Sequence, residues 1–288
     1  MGAVAGHLHE CVVEAERVLR LSPAGLFCDV DGTISRIVPH AASATIVPSA
    51  LESLRRLKGL LDTVALVSGR PVAQLHRMVG DEDLILIGNH GLEKWERGSL
   101  TMDAGAAPFL DAITRAADCL REAISSRGVT VEEKGTAVAI HYRMARDAEG
   151  AREEILRAVE RCGGAGALQV WEGRKVVELL PPVNVDKGSA VRAIVESRRL
   201  AGALYVGDDS TDLNAFRVLA QARERGEIRA LLVAVSSAEA PGDLLAAADF
   251  IVAGVAETAR MLRGVAKRLT GAAGLLSAPD RNGYSRTS

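Results

Sequence analysis

Four apolar runs in this chain each end abruptly in a polar segment. Short continuous apolar runs that break in this way are typical of buried parallel strands. The runs are Gly25 to Cys28, Thr63 to Val67, Leu84 to Ile87 and Ala203 to Val206, and they lead into Asp29-Val-Asp31-Gly-Thr33, Ser68-Gly-Arg70, Gly88-Asn-His90-Gly91 and Gly207-Asp208-Asp209-Ser-Thr-Asp212.

Helical patterns follow or separate these strands, over residues 49–61, 71–79 and 189–199. Alternation of strand and helix predicts an α/β fold with an open parallel sheet and helices on both faces. In such sheets ligands bind beyond the carboxyl ends of the strands, near the point where the strand order reverses. The acids, the serine and the histidine after the apolar runs therefore lie where this architecture places active sites.

Residues 105–181 break the alternation and predict an inserted α+β unit. A helix through residue 127, strands over 129–131 and 136–142, a helix over 148–161 and a hairpin from 169–171 and 175–180 fit its pattern. The predicted core is then residues 22–104 and 182–270, preceded by an amphipathic helix within residues 1–21. Residues 271–288 are small and polar, and we expect a disordered tail.

Bulk composition excludes several classes of protein. A net charge of −2 over 288 residues gives no electrostatic reason to expect nucleic acid or an anionic membrane as a partner. We find no apolar segment of membrane-spanning length and no secretory signal, so we expect a cytoplasmic protein. The cysteines lack CxxC spacing, and a reducing compartment is expected rather than a disulfide framework; they are Cys11, Cys28, Cys119 and Cys162.

Asp29 and Asp31 are the candidate catalytic pair. Strand periodicity continued through Val30 points both carboxylates to the same side. Two acids so close repel each other, so a cation, a shared proton or differing environments must relieve them. This favours chemistry with a metal ion, in which one carboxylate attacks and the other handles protons. The alternative is a turn in which Asp-Gly only reverses the chain.

The other polar segments also have purely structural interpretations. Ser68-Gly-Arg70 before a proline is typical of a capped strand-to-helix turn. Asp186-Lys187-Gly188 is typical of a helix start with a solvated lysine. The acids from Asp208 to Asp212 suit a helix N-terminus, although three acids at one strand end repel each other unless a cation is near.

Taken in order, DVDGT, SGR, DKG and GDDSTD resemble the motifs of the haloacid dehalogenase superfamily of aspartate-nucleophile phosphotransferases. Longer strings are similar to the trehalose-6-phosphate phosphatases of that superfamily, and the resemblance covers about residues 25 to 265. Val185 departs from the tryptophan common in that family, and Leu213-Asn214 stand where an acidic residue is usual. The matching strings are GNHGLE (88–93), VEEKGTAVAIHYR (131–143), EGRKVVELLP (172–181), DKGSAV (186–191) and GDDSTDLNAF (207–216).

This resemblance implies a Rossmann-like core with a C2-type cap, the cap being residues 105–181. It implies that Asp29, the backbone carbonyl of Asp31 and Asp208 bind Mg²⁺, which suits a site made of oxygen ligands. Asp29 is then the nucleophile that forms an aspartyl-phosphate. Asp31 protonates the departing sugar oxygen and later deprotonates the hydrolytic water.

The remaining core residues have supporting roles by the same resemblance. Ser68 donates a hydrogen bond to the phosphoryl oxygens, and Lys187 neutralises them while it holds Asp29 ionised. Asp209 and Asp212 position metal-bound water or Lys187.

Substrate selection is expected from the cap and the turns that face it. A sugar presents many hydroxyls, and selective binding needs donors and acceptors that the wrong ligand leaves unpaired. The alternatives are a solvated charged face on the cap, a turn histidine at position 90 and a surface ion pair at position 143. The expected substrate contacts are Arg70, Asn89, His90, Gly91, Glu132, Lys134, Arg143, Lys175 and Glu178.

The resemblance therefore predicts an enzyme of trehalose biosynthesis that hydrolyses trehalose 6-phosphate, with a trehalose-6-phosphate synthase as a candidate partner. Two alternatives stay open. One is a phosphatase for another sugar phosphate, such as sucrose 6-phosphate. The other is a catalytically idle sugar-phosphate sensor or regulatory partner of a trehalose synthase, against which the presence of both Asp29 and Asp31 argues.

Overall fold

The computed structural model describes residues 2–38, 43–80, 84–162 and 166–276. The helices are α1 (Gly2–Leu19), α2 (Pro48–Lys58), α3 (Val72–Val79), α4 (Leu110–Ala123), α5 (Ala148–Cys162), α6 (Lys187–Arg198), α7 (Asp212–Glu224), α8 (Gly242–Ala247) and α9 (Gly254–Leu276). The strands are β1 (Ala24–Cys28), β2 (Thr63–Val67), β3 (Ile85–Gly88), β4 (Glu93–Glu96), β5 (Ser99–Met102), β6 (Thr130–Glu133), β7 (Val138–His141), β8 (Gln169–Gly173), β9 (Val176–Leu180), β10 (Gly202–Gly207), β11 (Arg229–Ser236) and β12 (Phe250–Ala253).

The larger sheet has the strand order β12-β11-β10-β1-β2-β3-β4-β5. The first six strands in this order, from β12 to β3, are parallel to one another. Strands β4 and β5 add an antiparallel hairpin at one edge. The parallel fold predicted from the apolar runs is confirmed. The edge hairpin was not predicted, because its residues are half-buried or exposed and lack a continuous apolar run.

Helices cover both faces of this sheet because its central strands are apolar on both sides. Every residue of β1 is buried. Leu26 and Cys28 pack into a cluster with residues of α1, α2, α3 and α9, whereas Phe27 packs on the opposite face with α6, α7 and α8. This alternation is the two-residue period of a strand. Strand β1 is therefore held at the centre of the molecule, between β10 and β2.

The cap contains a four-stranded antiparallel sheet in the order β6-β7-β9-β8. Helices α4 and α5 bury one face of it through a third apolar cluster that includes Ile113, Ile155 and Val177. The other face is left for contact with the core. Successive residues of a strand point to opposite faces of the sheet. Strands β6, β7 and β9 therefore present polar side chains toward that core.

The cysteines and the C-terminal helix differ from what the sequence predicts. Cys119 and Cys162 form a disulfide, which corrects the expectation of a chain without disulfides: α4 and α5 pack side by side and bring two distant cysteines together. Cys11 and Cys28 are free and buried. Helix α9 extends through residue 276, so the first part of the expected tail is helical, and residues 277–288 lie outside the described residues.

Within the described part of the chain, we find no helix that is both long and apolar enough to cross a membrane.

Candidate active site

A cavity of about 910 Å³ lies between the carboxyl edge of the large sheet and the polar face of the cap sheet. Its size is within the range of ligand sites for small molecules. The core contributes Asp29, Asp31, Ser68, Gly69, Arg70, Gln74, His90, Lys187, Asp208 and Asp209, and the cap contributes Glu132, Lys134, His141, Arg143, Trp171, Arg174 and Glu178. The cavity therefore joins the strand ends to the inserted unit.

Asp29 lies at the bottom of the cavity, directly after β1. Its backbone N–H donates to the carbonyl of Val206 on β10, which continues the strand pairing by one residue. The side chain is 4% exposed. One carboxylate oxygen accepts a hydrogen bond of 2.7 Å from Lys187 Nζ, and the other has no partner among the described residues. Asp29 thus presents one unpaired oxygen on a carboxylate that is otherwise fixed.

Lys187 is the first residue of α6, and a capping box fixes the start of that helix. Asp186 accepts from the N–H of Ser189, whose hydroxyl in turn accepts from the N–H of Asp186. The ammonium of Lys187 bridges Asp29 and Asp212 at 2.7 and 2.8 Å. Burial acts to lower the pKa of Lys187, but these two carboxylates outweigh it and raise the pKa above its usual range. The lysine is a permanent cation in the site.

Asp212 holds this arrangement rather than facing the cavity. One oxygen accepts from Lys187 and from the Tyr205 hydroxyl at 2.7 Å, and the other accepts from the N–H groups of Asp208 and Asp209. Because donors already occupy both oxygens, Asp212 is a brace for Lys187 and for the loop after β10. Of the two supporting roles considered for Asp212, positioning of metal-bound water or of Lys187, this conformation brings it into contact with Lys187.

The loop after β10 brings Asp208 against the segment that carries the catalytic pair. Thr33 Oγ1 donates to Asp208 at 3.2 Å. Gly32 has a φ of 87°, and a Cβ on it would lie 2.1 Å from an oxygen of Asp208. Only glycine fits at this position, which explains the Asp-Gly-Thr sequence in structural terms.

Asp29, Asp208 and Asp212 offer oxygens within 4.8 Å of one another, a grouping that suits a metal ion. Burial raises the pKa of Asp29 well above its usual range, with the charge on Lys187 acting in the opposite direction. Burial, reinforced by the charge of Asp212, raises the pKa of Asp208 to about 6. A cation beside these carboxylates would relieve both effects. The residues therefore fit a hard cation bound by oxygen.

Asp31 lies further up the wall of the cavity and is bound by Arg70. The guanidinium donates from Nε and Nη2 to the two carboxylate oxygens at 2.5 and 2.8 Å, a bidentate pair that fixes the carboxylate plane. Burial acts to lower the pKa of Arg70, and the pairing with Asp31 outweighs it and raises the pKa. Arg70, predicted as a substrate contact, is thus already engaged with the second aspartate.

Ser68 is buried at the end of β2 and lines the cavity. Its hydroxyl oxygen accepts from the N–H of Arg70 at 3.1 Å, which leaves the hydroxyl proton to donate elsewhere. The Ser-Gly-Arg turn therefore has the structural role of a strand-to-helix connection, and at the same time aims a hydroxyl donor into the cavity.

Three of the predicted sugar contacts connect the cap to the core. Lys134 Nζ donates to Glu178 at 2.5 Å and to the carbonyl of Gly69 at 3.0 Å. Glu178, which is 2% exposed, also lies 2.8 Å from His90 Nε2. Burial acts to raise the pKa of Glu178, but Lys134 and His90 outweigh it and lower the pKa below its usual range. These groups join the cap to the core in the conformation described.

Glu132 lies beside this group on β6. One of its oxygens lies 2.9 Å from His141 Nε2, and the other accepts from the Gln74 amide on α3 of the core. The hydrogen bond with His141 is the main reason that the pKa of Glu132 is lowered. Glu132 is thus a second connection between cap and core.

The turn between β8 and β9 reaches across the cavity to the acidic loop. Arg174 donates to the Asp208 carboxylate at 2.9 Å and to its carbonyl at 2.7 Å, and lies 3.3 Å from Asp209. Arg143 donates to the carbonyl of Arg174 at 3.0 Å and also lines the cavity.

Three predicted substrate contacts lie away from the cavity lining. Asn89 is fully buried, and its amide binds Glu93 and Thr136. At Gly91, φ is 115°, and a Cβ would meet the carbonyl of Asp186 at 2.7 Å. Lys175 is exposed and lies over the Tyr142 ring. In this conformation Asn89 and Gly91 have structural positions, and Lys175 points away from the cavity.

Several residues that line the cavity were not predicted as site residues, and Arg174, His141, Gln74 and Trp171 are among them. Arg174 and His141 lie within the strings that carry the family resemblance, so their hydrogen-bonding side chains were a usable signal. Gln74 and Trp171 gave none, because a lone glutamine on a helix and a tryptophan on a hairpin are common surface and packing residues. Trp171 packs its ring 5.4 Å from the ring of His90.

Comparison with known proteins gives consistent results. The family model for trehalose-phosphatase matches residues 27–246. A trehalose-phosphate phosphatase of Mycolicibacterium paratuberculosis is 38% identical over 199 residues, 66% of this chain and 50% of that protein. A trehalose-phosphate phosphatase of Mycobacterium tuberculosis is 36% identical over 213 residues, 71% of this chain and 53% of that protein. The chain thus spans about half the length of these relatives.

Solved structures resemble the chain over most of its length. A trehalose-6-phosphate phosphatase related protein has a TM-score of 0.71 and 25% identity, over 86% of this chain and 99% of that chain. The C-terminal domain of Candida albicans trehalose-6-phosphate phosphatase has a TM-score of 0.74, with 21% identity, over 90% of this chain and 96% of that chain. The latter similarity concerns the fold.

Proposed function

The chain belongs to the trehalose-phosphatase family, and on this basis we propose that it hydrolyses trehalose 6-phosphate to trehalose and inorganic phosphate. The observation that carries the proposal is the site at the end of β1. Asp29 has an unpaired oxygen and a fixed cation, Lys187, beside it. Asp31 lines the same cavity, and hydrogen-bonding residues of the cap form the opposite wall.

Mg²⁺ is the cofactor that we propose, held by the carboxylates of Asp29 and Asp208 and by the backbone carbonyl of Asp31. Carboxylate oxygens of Asp29 and Asp208 lie within 4.8 Å of each other, and the raised pKa values of both groups support binding of a cation between them. The Asp31 carbonyl is assigned from the family resemblance. When bound, the ion supplies positive charge that offsets the repulsion between a doubly anionic phosphate ester and the carboxylates.

In the first step the unpaired oxygen of Asp29 attacks phosphorus. The bond between phosphorus and the 6-oxygen of the sugar breaks, and that oxygen leaves with the proton that Asp31 donates. The products of this step are trehalose and an aspartyl-phosphate on Asp29. Lys187 neutralises the phosphoryl oxygens, and the Ser68 hydroxyl donates to one of them.

In the second step Asp31 takes a proton from water as the water oxygen attacks phosphorus. The bond between phosphorus and Asp29 breaks, inorganic phosphate is released, and the Asp29 carboxylate is restored. The aspartate that lost a proton in the first step regains it in the second, so the enzyme is unchanged after one cycle.

Recognition of the sugar is the role that we propose for the cap. Glu132, Lys134, Arg143 and Glu178 line the cavity opposite the core residues, with His90 beside them. Lys134 and Glu178 are hydrogen-bonded to each other here. Each can bind a sugar hydroxyl when a hydrogen bond to the sugar replaces the one between them. A trehalose-6-phosphate synthase is the partner that we propose, because synthesis of trehalose 6-phosphate must supply the substrate of the phosphatase.

A phosphate-release assay over a panel of sugar phosphates tests the proposal. We expect release from trehalose 6-phosphate that requires Mg²⁺ and is lost after treatment with EDTA. Preference for sucrose 6-phosphate would indicate a different sugar phosphatase. No release from any member of the panel, together with binding of trehalose 6-phosphate, would indicate a sensor or regulatory protein.

A further inference from the structure

Hydrogen bonds join Asp31 to the cap without a break, and Gln74 is the central member of the series. Arg70 holds both oxygens of Asp31, and its Nη1 donates to the carbonyl oxygen of Gln74 at 3.2 Å. The amide nitrogen of Gln74 then donates to Glu132 on β6 of the cap. Glu132 is bound in turn by His141 on β7.

The two neighbours of Gln74 require a side chain that both accepts and donates. A guanidinium can only donate hydrogen bonds, and an ionised carboxylate can only accept them. The amide of Gln74 presents its oxygen to Arg70 and its nitrogen to Glu132, so both ends are satisfied and the orientation of the amide is determined by its partners. Glutamate at this position would repel Glu132, and lysine would repel Arg70.

The location of Gln74 explains how the cap can influence the acid. Gln74 lies in the first turn of α3, four residues after Arg70, so both belong to the core. Glu132 belongs to the cap, and its bond to Gln74 forms only when the cap sheet lies over the core. When the cap lies over the core, Gln74 therefore gains a hydrogen bond to Glu132. Gln74 in turn accepts a hydrogen bond from Arg70, which binds both oxygens of Asp31.

We propose that Gln74 is a positioning residue that couples closure of the cap to placement of Asp31 as the general acid. The inference rests on the proposed function, because the acid role of Asp31 belongs to it. Gln74 touches neither the reacting atoms nor Asp31 itself, and acts through Arg70. Its loss removes one of the hydrogen bonds that the Arg70 guanidinium donates and lets the Asp31 carboxylate shift from the position that suits proton transfer.

The test uses 4-nitrophenyl phosphate and phenyl phosphate as a matched pair of substrates. Neither carries a sugar, so direct sugar contacts by Gln74 or Glu132 do not enter. Their leaving groups differ in basicity, and the more basic phenolate needs more help from an acid. For each substrate, kcat/KM reports the steps up to cleavage of the bond to the leaving group. The ratio of the two kcat/KM values therefore measures how well Asp31 acts as the general acid.

In Gln74→Ala and in the similarly shaped Gln74→Met, we expect kcat/KM for phenyl phosphate to fall about tenfold, less than the factor of 10²–10⁴ typical for loss of an acid. The value for 4-nitrophenyl phosphate should stay within about twofold of the parent. Glu132→Ala should change the ratio in the same direction, and the double variant should add little to either single change. Gln74→Glu should impair phenyl phosphate at least as much as Gln74→Ala.

Equal losses on the two aryl phosphates, or an unchanged ratio in folded Gln74→Ala and Gln74→Met, would overturn the proposal. Additive effects of Gln74→Ala and Glu132→Ala would overturn the part assigned to the cap. Failure of the parent protein to act on trehalose 6-phosphate would contradict the proposed function instead, and the aryl phosphate ratio would still report on Gln74.

Discussion

At the scale of single residues, Asp29 and Asp31 are two residues apart in the chain but have different surroundings. Asp29 is buried beside the ammonium of Lys187 and keeps one oxygen unpaired. Asp31 is more exposed than Asp29, and Arg70 binds both of its oxygens. Two carboxylates in different environments can divide the work of nucleophile and acid. The division follows from which residues lie beside each aspartate.

Asparagine substitutions separate these two roles. Asp29→Asn should fold and lose turnover of all phosphate esters, because an amide oxygen does not form the covalent intermediate. Asp31→Asn should lose at least 10²-fold on trehalose 6-phosphate, and less in the phosphorylation step on 4-nitrophenyl phosphate, whose leaving group needs little acid assistance. Steady-state and burst kinetics on both substrates measure this. Near-normal phosphate release by folded Asp29→Asn would exclude it as the nucleophile.

Glu178 provides a prediction of pH-dependent stability. Its pKa is lower in the folded protein than the unfolded value of 4.5, so its stabilisation is fully present above that pH and is lost as the pH falls through the folded pKa. Glu178→Gln should reduce the free energy of unfolding by about 3 kcal/mol at neutral pH. Between pH 6 and pH 3.5 the difference from the parent should shrink by about 1.4 kcal/mol, as urea unfolding would show. A difference that does not change with pH would contradict this assignment.

At the scale of elements, the β8–β9 turn and the loop after β10 meet through Arg174 and Asp208. The Arg174 guanidinium donates one hydrogen bond to the carboxylate of Asp208 and another to its backbone carbonyl. A cation from the cap therefore lies against a proposed metal ligand. A metal ion that bound this carboxylate oxygen would compete with Arg174 for it.

Arg174→Ala should therefore strengthen binding of Mg²⁺ to the protein without substrate. We expect an increase in affinity of roughly tenfold, equivalent to about 1.4 kcal/mol, measured by isothermal titration calorimetry. Arg143→Ala is the matched control, because this substitution removes the same charge, whereas among the described residues Arg143 donates to the carbonyl of Arg174 and not to Asp208. Weaker Mg²⁺ binding in Arg174→Ala would show that the arginine supports the acidic loop rather than competing at it.

The cap strands should carry sugar recognition, and the core should carry the chemistry. Lys134→Ala and Glu178→Ala should each lower kcat/KM for trehalose 6-phosphate by about one to two decades, the effect of a lost charged hydrogen bond of roughly 1.5–3 kcal/mol. Activity on 4-nitrophenyl phosphate should be largely kept, whereas Lys187→Ala should damage both substrates. Lys175→Ala, exposed and outside the cavity, is the control and should match the parent. Parallel losses on both substrates in folded cap variants would assign those residues to cap docking.

At the scale of the whole molecule, the apolar runs predicted the parallel sheet and the place of the site. Parallel strands end at one edge of a sheet, so β1, β2 and β10 bring Asp29, Ser68 and Asp208 together although they are distant in the chain. The insertion after β5 was visible as a change of periodicity. These features depend on hydrophobic spacing, which a single sequence displays.

The contacts between cap and core could not be predicted from spacing. Lys175 was expected in the site and Arg174 was not, because the direction of each side chain depends on the turn, where Lys175 has a φ of 60°. Asn89 was expected to bind substrate, but its burial under the cap follows from how the two units meet. The bond between Cys119 and Cys162 likewise follows from the packing of α4 on α5.

Capture of a phosphorylated aspartate during turnover tests the proposed chemistry most directly. The protein is mixed with Mg²⁺ and trehalose 6-phosphate, quenched in acid, digested and mapped by mass spectrometry. Asp31→Asn and the parent are also compared with 4-nitrophenyl phosphate, whose leaving group needs little acid assistance, because loss of the base should then slow only hydrolysis of the intermediate. We predict one phosphate on the peptide that contains Asp29, more of it in Asp31→Asn than in the parent with 4-nitrophenyl phosphate, and none in Asp29→Asn. Phosphate on another residue, or turnover of trehalose 6-phosphate with no phosphorylated Asp29 in either protein, would contradict the proposal.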